Sequence, residues 1–156
     1  MLRDSHKRPE PILVVSGLSY LVPFCVAATN QRLYDASTYG ALTLTTVGFH
    51  STRDDTWFQL DLIAMLNWLV RNGYLSLQCK CSERSRNLFI ASLAYSFTSY
   101  AVGKRYKIMS FDPDWNTQMF FHSLMHLSTA YSSYLIMKDI SMIHGESNQI
   151  EFKEHL

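Results

Sequence analysis

Two histidines stand one helical turn apart in an apolar, aromatic part of this 156-residue sequence. His122 and His126 both lie in the segment 115–137, which contains no Asp, Glu, Lys or Arg. Because residues i and i+4 share one face of a helix, the two imidazoles can point at the same ion or into the same polar cavity. This spacing suits a metal site, although hydrogen bonds to neighbouring helices would also satisfy two histidines.

A hydroxyl, a third imidazole and a carboxylate also occur where the surrounding residues are apolar. Thr46 and His50 stand at i and i+4 near the end of one such stretch, and Asp61 lies within the next. A carboxylate at the centre of a membrane helix costs about 2.5–3.5 kcal/mol even on the mildest insertion scale. Asp61 is therefore expected to face a partner or water, unless it lies at a membrane edge beside Asp54 and Asp55.

The composition is that of a single domain with a large apolar fraction. Hydrophobic residues make up 47% and aromatic residues 13% of the sequence, which is high for a chain of this length. The formal net charge of +1 implies no strong attraction to nucleic acid. The three cysteines, Cys25, Cys79 and Cys81, match no zinc-ribbon or disulfide spacing, so we interpret them as structural or incidental thiols.

Charged residues are confined to the ends of the chain and to short gaps between apolar stretches. The mean hydropathy is near zero, because the apolar stretches and the charged gaps cancel in the average. A single apolar stretch of about 20 residues is nevertheless enough to span a hydrocarbon core. We predict an all-α, integral membrane bundle of five transmembrane helices near 11–29, 35–51, 56–71, 87–103 and 115–137, with polar tails at 1–10 and 138–156. Pro23 is expected to kink the first helix. A soluble helical bundle is the alternative.

Helices in one small bundle could bring the polar residues to a common site. Three imidazoles, from His50, His122 and His126, with a fourth position open to water, are a ligand set that zinc uses in catalysis. The metal would lower the pKa of that water to about 7 and polarise a carbonyl. Asp61 could then take the proton or orient the water, and Thr46 could steady an oxyanion or a ligand. The remaining histidines sit in the polar tails and are not expected to bind metal: His6, His144 and His155.

The order of these motifs resembles the signature of the CREST superfamily, which runs hydroxyl-x-x-x-His, then Asp, then His-x-x-x-His. In this sequence the signature is formed by Thr46, His50, Asp61, His122 and His126. The superfamily includes alkaline ceramidases, adiponectin-receptor-like proteins, lipid-remodelling enzymes that act on GPI anchors, and myomaker-like proteins. The stretch His-Ser-Leu-Met-His is most similar to the His-Ser-x-Trp-His of the myomaker-like branch. The likeness covers chiefly residues 34–68 and 118–135.

The resemblance implies a membrane enzyme that hydrolyses lipid amide or ester bonds. Its zinc ion would be held by His50, His122 and His126, with Thr46 and Asp61 beside it, and membrane lipids would be its partners. Members of the superfamily have seven helices, whereas this sequence has segments for five. A second hypothesis therefore stays open: a non-catalytic accessory subunit that binds other subunits of a respiratory or photosynthetic complex. The membrane would be the mitochondrial inner membrane, the thylakoid or an endomembrane.

Overall fold

Helices form the secondary structure throughout the part of the chain that the computed structural model describes, residues 10–78 and 81–154, with side chains up to 143. The helices are α1 (Pro11–Gly17), α2 (Leu21–Thr29), α3 (Leu33–Thr52), α4 (Asp55–Leu77), α5 (Glu83–Tyr106) and α6 (Trp115–Glu154). A 3-10 turn, Leu18–Tyr20, joins α1 and α2 into one continuous helical segment, and a second such turn, Met109–Phe111, precedes α6. For these residues the predicted all-α fold with five helical segments is confirmed.

The first segment changes helix type just before Pro23, where the sequence predicts a kink. Proline has no N–H to donate to the carbonyl four residues earlier, and its ring crowds that carbonyl. The backbone tightens into the 3-10 turn at this point. The hydroxyl of Ser19 donates to the carbonyl of Ser16 at 2.6 Å, one turn back along the same helical segment. The segment stays helical through the proline, from Leu21 to Thr29.

A two-residue connection makes α3 and α4 antiparallel neighbours. Arg53 follows the last residue of α3 in the left-handed conformation, with φ at 56°, and Asp54 is the N-cap residue of α4. The Asp54 carboxylate accepts hydrogen bonds from the backbone N–H groups of Thr56 at 2.8 Å and Trp57 at 3.4 Å, which is the usual N-cap arrangement. These bonds hold the pKa of the Asp54 carboxyl below its usual range. Residues late in α3 and early in α4 consequently lie at the same end of the bundle.

Two helices extend beyond the predicted boundaries, and in α4 the charged residue at the predicted boundary has a partner. α4 continues past 71 to Leu77, and α5 begins at Glu83 rather than 87. Arg71 is held within α4 by Asp35, whose carboxylate accepts from its Nε at 2.5 Å and from its Nη2 at 3.2 Å. Arg32 donates to the same carboxylate from Nε at 2.7 Å. Asp35 is only 2% exposed, so this ion-pair cluster ties α4 to the start of α3.

The last helix also runs further than predicted. α6 continues past 137 to Glu154, so most of the segment predicted as a polar tail is helical backbone. Met137 and Ile140 belong to the buried core, and their burial explains why packing continues beyond the predicted end. The side chains from 144 onward lie outside the described part of the structure, as do residues 1–9 of the predicted N-terminal tail.

Of the predicted thiols, Cys25 is free and Cys81 packs against the hydrophobic core. Cys79 lies outside the described residues.

Hydroxyl groups make many of the contacts between helices. Ser92 and Ser132 join α5 to α6 at 3.1 Å, and the indole N–H of Trp68 on α4 donates to Ser133 at 2.9 Å. Small hydroxylated residues let helix backbones approach closely and add hydrogen bonds between helices. Within the described helices, one segment, Pro11–Thr29, is long and apolar enough to cross a membrane by length and composition.

A candidate metal centre

The structure brings together the three histidines that the sequence singled out. His122 and His126 share a face of α6, and the C-terminal end of α3 places His50 against both of them. The ring centroids lie 5.1 Å apart for His50 and His122, 5.3 Å for His50 and His126, and 5.0 Å for His122 and His126. One nitrogen atom from each ring lies within 4.8 Å of the other two. These three side chains could therefore hold one metal ion.

The size of this triangle can be compared with that of a filled metal site. With bonds of about 2.05 Å, two ligand atoms of a tetrahedral zinc ion lie about 3.4 Å apart. The three ligand atoms of this structure all lie within 4.8 Å of one another, so their spacing is of the same order as that in a filled site. The chemistry of the donor set, three nitrogen ligands beside a cavity, fits a metal that keeps one position open.

A buried carboxylate holds the outer nitrogen of His50. Glu10 is 6% exposed, and its Oε2 lies 2.8 Å from His50 Nδ1. Arg53 donates from a guanidinium nitrogen to the same oxygen at 2.8 Å, and the backbone N–H of Glu10 donates to the carbonyl of His50 at 2.9 Å. When Nδ1–H donates to a carboxylate, the Nε2 atom remains free to bind a metal, and this pairing recurs at zinc sites in proteins.

A second hydrogen bond chain holds His126. Its Nδ1 lies 3.0 Å from the hydroxyl oxygen of Ser16, which donates its own proton to the carbonyl of Leu13 at 3.1 Å. Because that proton is already used, Ser16 accepts from His126, so Nδ1 carries the hydrogen and Nε2 is free. Two of the three imidazoles are thus oriented by partners from the first helical segment.

Asp61 faces hydroxyl groups of α3. Its Oδ1 accepts hydrogen bonds from Thr46 Oγ1 at 2.6 Å and from Thr45 Oγ1 at 3.1 Å. Thr46, at i−4 from His50, thus directs its hydroxyl proton to Asp61. Both Asp61 and Thr46 line the same cavity as His122. All five residues predicted for the site therefore lie at one end of the bundle.

Sequence reasoning missed three of the residues around this centre. Glu10 was assigned to a polar tail, and Ser16 and Thr45 look like ordinary residues of apolar helices. Glu10 lies directly before the first apolar segment, which is a common position for an acid at a helix start and carries no specific signal. In the sequence, Glu10 is 40 positions from its partner His50, and Ser16 is 110 positions from its partner His126. No local spacing could have identified them.

A cavity of about 420 Å³ extends from the histidines between α4 and α5. Its walls are mostly apolar, and His122, His126, Asp61 and Thr46 lie at one end of it. Most of the remaining walls come from Leu42, Met65, Leu66, Trp68, Leu69, Leu93, Phe97, Tyr100 and Met125. A volume of this size is within the range of small-molecule sites in proteins.

Replacing Glu10 by alanine is expected to weaken zinc binding about 10- to 100-fold, because the partner that orients His50 is lost. Glu10→Gln, which keeps an oxygen acceptor without the charge, should lose less. Zinc dissociation constants measured by competition with a chelator would give these values, and the Co²⁺ absorption spectrum would report the ligand geometry. The controls are Arg53→Ala, which breaks the ion pair but leaves the bond between Glu10 and His50, and the exposed Glu83→Ala. Equal zinc affinity in Glu10→Ala and Arg53→Ala would show that Glu10 has only a structural role.

No protein-family model, no curated protein and no solved structure matches this chain. The resemblance to the CREST superfamily stays a prediction that depends on its motifs, and the geometry of the site has to be interpreted from the structure itself.

Proposed function

We propose that this protein is a membrane-embedded, zinc-dependent hydrolase that cleaves amide or ester bonds of lipids. The observation that carries the proposal is the convergence of His50, His122 and His126 beside Asp61 at one end of an apolar cavity. A cluster of three imidazoles next to a carboxylate is costly to build in an apolar bundle unless it binds something. The position of the cluster at one end of the cavity supports a role of these residues in acting on a ligand in that cavity.

Placement in a membrane is supported by the distribution of polar and apolar side chains. Polar residues such as Asn72 and Ser133 are completely buried, whereas Leu33, Leu77 and Phe97 are 77%, 81% and 75% exposed. Large apolar surfaces of this kind are unusual on proteins surrounded by water. In a bilayer they would face lipid, and the buried hydroxyl and amide groups would join the helices. The apolar segment Pro11–Thr29 is compatible with the same placement.

Zinc is the metal that the donor set favours. Three imidazole nitrogens with one open position form a frequent catalytic zinc site, whereas calcium and magnesium prefer oxygen ligands. The hydrogen bonds from His50 to Glu10 and from His126 to Ser16 are the outer contacts that such ligands usually make. Zinc bound there would supply a Lewis acid that lowers the pKa of a water molecule to about 7.

The carboxylate of Asp61 is the group we assign to proton transfer. It lines the cavity beside His122, so it can accept a proton from water that attacks a carbonyl and return it to the leaving group. Thr46 and Thr45 donate to Oδ1 and hold the carboxylate in place, while hydrogen bonds to Oδ1 leave Oδ2 for the proton. Thr46 therefore acts as a positioning residue for Asp61, whereas the sequence predicted that it would steady an oxyanion or a ligand.

Removal and return of the metal test this proposal. Protein purified in detergent should contain about one zinc per chain, and should hydrolyse N-acyl or O-acyl lipids in a panel that includes ceramides and phospholipids. Treatment with a chelator should abolish both properties, and added zinc should restore both. Hydrolysis that persists after complete metal removal would contradict the assignment.

The accessory-subunit hypothesis is supported by a different feature, the uncovered side of the bundle at α4 and α5. Ile63 and Val70 on α4 are 63% and 71% exposed. In a larger assembly these faces would pack against neighbouring helices, and the chain would bind metal without turning over lipid. Stoichiometric zinc together with no hydrolysis of any lipid in the panel would favour this function.

A further inference from the structure

The cavity beside the candidate metal centre is open on one side. α4 packs mainly against α3, and α5 packs against α6. The rings of Trp68 and Phe89, 5.9 Å apart, bridge α4 and α5, and the cavity lies between this bridge and the histidines. Leu66 on α4 and Phe97 on α5 line the cavity and are also 51% and 75% exposed. The cavity therefore reaches the outer surface of the bundle between these two helices.

One polar atom in the cavity wall lacks a partner. Ser96 lines the cavity, and its hydroxyl oxygen is buried and has no hydrogen bond with any described residue. Its neighbours on α5 are paired, since Ser92 contacts Ser132 at 3.1 Å and Ser99 contacts Ser110 at 2.7 Å. A buried hydroxyl without a partner is unfavourable. The position of Ser96 in the cavity wall points to a ligand that supplies the missing hydrogen bond.

We infer that one acyl chain of an N-acyl or O-acyl lipid enters the cavity sideways from the bilayer, between α4 and α5, and that Ser96 binds a polar group next to the cleaved bond. This inference rests on the proposed function, because it takes the faces of α4 and α5 to be surrounded by lipid. Substrate would then reach the metal centre without leaving the membrane.

The dimensions agree with a single chain. Asp61 lies at the polar end of the cavity, and Trp68 forms the bridge to α5 at the other end. The two residues are seven positions apart on α4, so the cavity is about 10 Å deep, which is the length of about eight methylene groups. Trp68 is 4% exposed and hydrogen bonded to Ser133, so it closes this end. A longer chain would leave through the opening beside Leu66 and continue into the bilayer, and the cavity would not impose a strict chain length.

Trp68 provides a direct test because a brominated acyl chain quenches tryptophan fluorescence only at short range. In a Trp57→Phe, Trp115→Phe protein, Trp68 is the one remaining tryptophan. Reconstituted with lipids brominated in the middle of the acyl chain, this protein should lose at least half of its fluorescence. Two variants that fill the cavity, Ser96→Phe and Leu69→Phe, should lose several-fold less fluorescence than the parent protein. Leu44→Phe, a matched change at an exposed site of α3 outside the cavity, should behave like the parent.

The quenching is measured on chelated protein, so that it does not depend on bound metal or hydrolysis. A failure of the hydrolase proposal would leave the quenching unchanged, whereas equal quenching in the parent and both filled variants would overturn the inference. Self-association of the parent without quenching would also overturn it and assign the opening to a second copy of the chain.

The Ser96→Ala variant should bind a short-chain N-acyl amide about 2- to 10-fold less tightly while its affinity for an alkane of equal length stays the same. An equal loss of affinity for both ligands would show that Ser96 does not bind the polar group.

Discussion

Replacing His122 by alanine is expected to abolish zinc binding, with less than about 0.1 zinc per chain against about one in the parent. His122 supplies one of three nitrogen ligands, and it lies within 4.8 Å of the ligand atoms of His50 and His126. Two imidazoles alone hold zinc too weakly to survive purification. Metal analysis by mass spectrometry on detergent-purified protein measures this directly, and His50→Ala should give the same loss.

The matched control for this experiment is His144→Ala. His144 is on the same helix, 18 residues beyond His126, and it should keep about one zinc per chain. Thermal unfolding separates metal loss from misfolding, because a ligand that binds only the folded state raises the melting temperature. Added zinc should stabilise the parent and His144→Ala but leave His122→Ala unchanged. Zinc retained in His122→Ala at the affinity of the parent would rule out the three-histidine site.

Replacing Asp61 by asparagine is expected to reduce lipid hydrolysis about 10²- to 10⁴-fold, the usual cost of removing a general acid or base. Asparagine has nearly the same shape and can still accept hydrogen bonds from Thr45 and Thr46, so the packing of α3 against α4 should be preserved. It cannot take a proton from water. Zinc content should stay near one per chain, because Asp61 is not among the proposed ligands. The measurement is the initial rate of hydrolysis at saturating zinc.

Asn67→Ala is the control for Asp61→Asn. Asn67 lies on the same helix and also bridges to α3, through Tyr34 at 3.0 Å and Thr38 at 3.2 Å, but it does not line the cavity. This variant should be less stable to unfolding, but its folded fraction should hydrolyse lipid at the rate of the parent. Hydrolysis by Asp61→Asn at the rate of Asn67→Ala would contradict a role of Asp61 in proton transfer.

The helices could be predicted well because charge and hydropathy are local properties. Apolar stretches with few charged residues located all five helical segments, but the end of α4 was misjudged because its charged residue has a partner from another helix. Arg71 was taken as a boundary, whereas Asp35 neutralises it and α4 continues for six more residues. The end of α6 was misjudged because Ile140 packs against the core from within a segment that is polar on average.

The sequence by itself determined that His122 and His126 share one face of a helix, and that Asp61 needs a polar partner. Both conclusions depend on helical periodicity and on the cost of isolating a charge, which need no knowledge of the other helices. Only the tertiary structure decided that His50 joins the other two histidines and that Glu10 and Ser16 orient the rings of His50 and His126. It also decided that a cavity opens between α4 and α5. Helix packing sets these contacts between distant parts of the chain, and periodicity within one helix carries no information about which neighbour it meets.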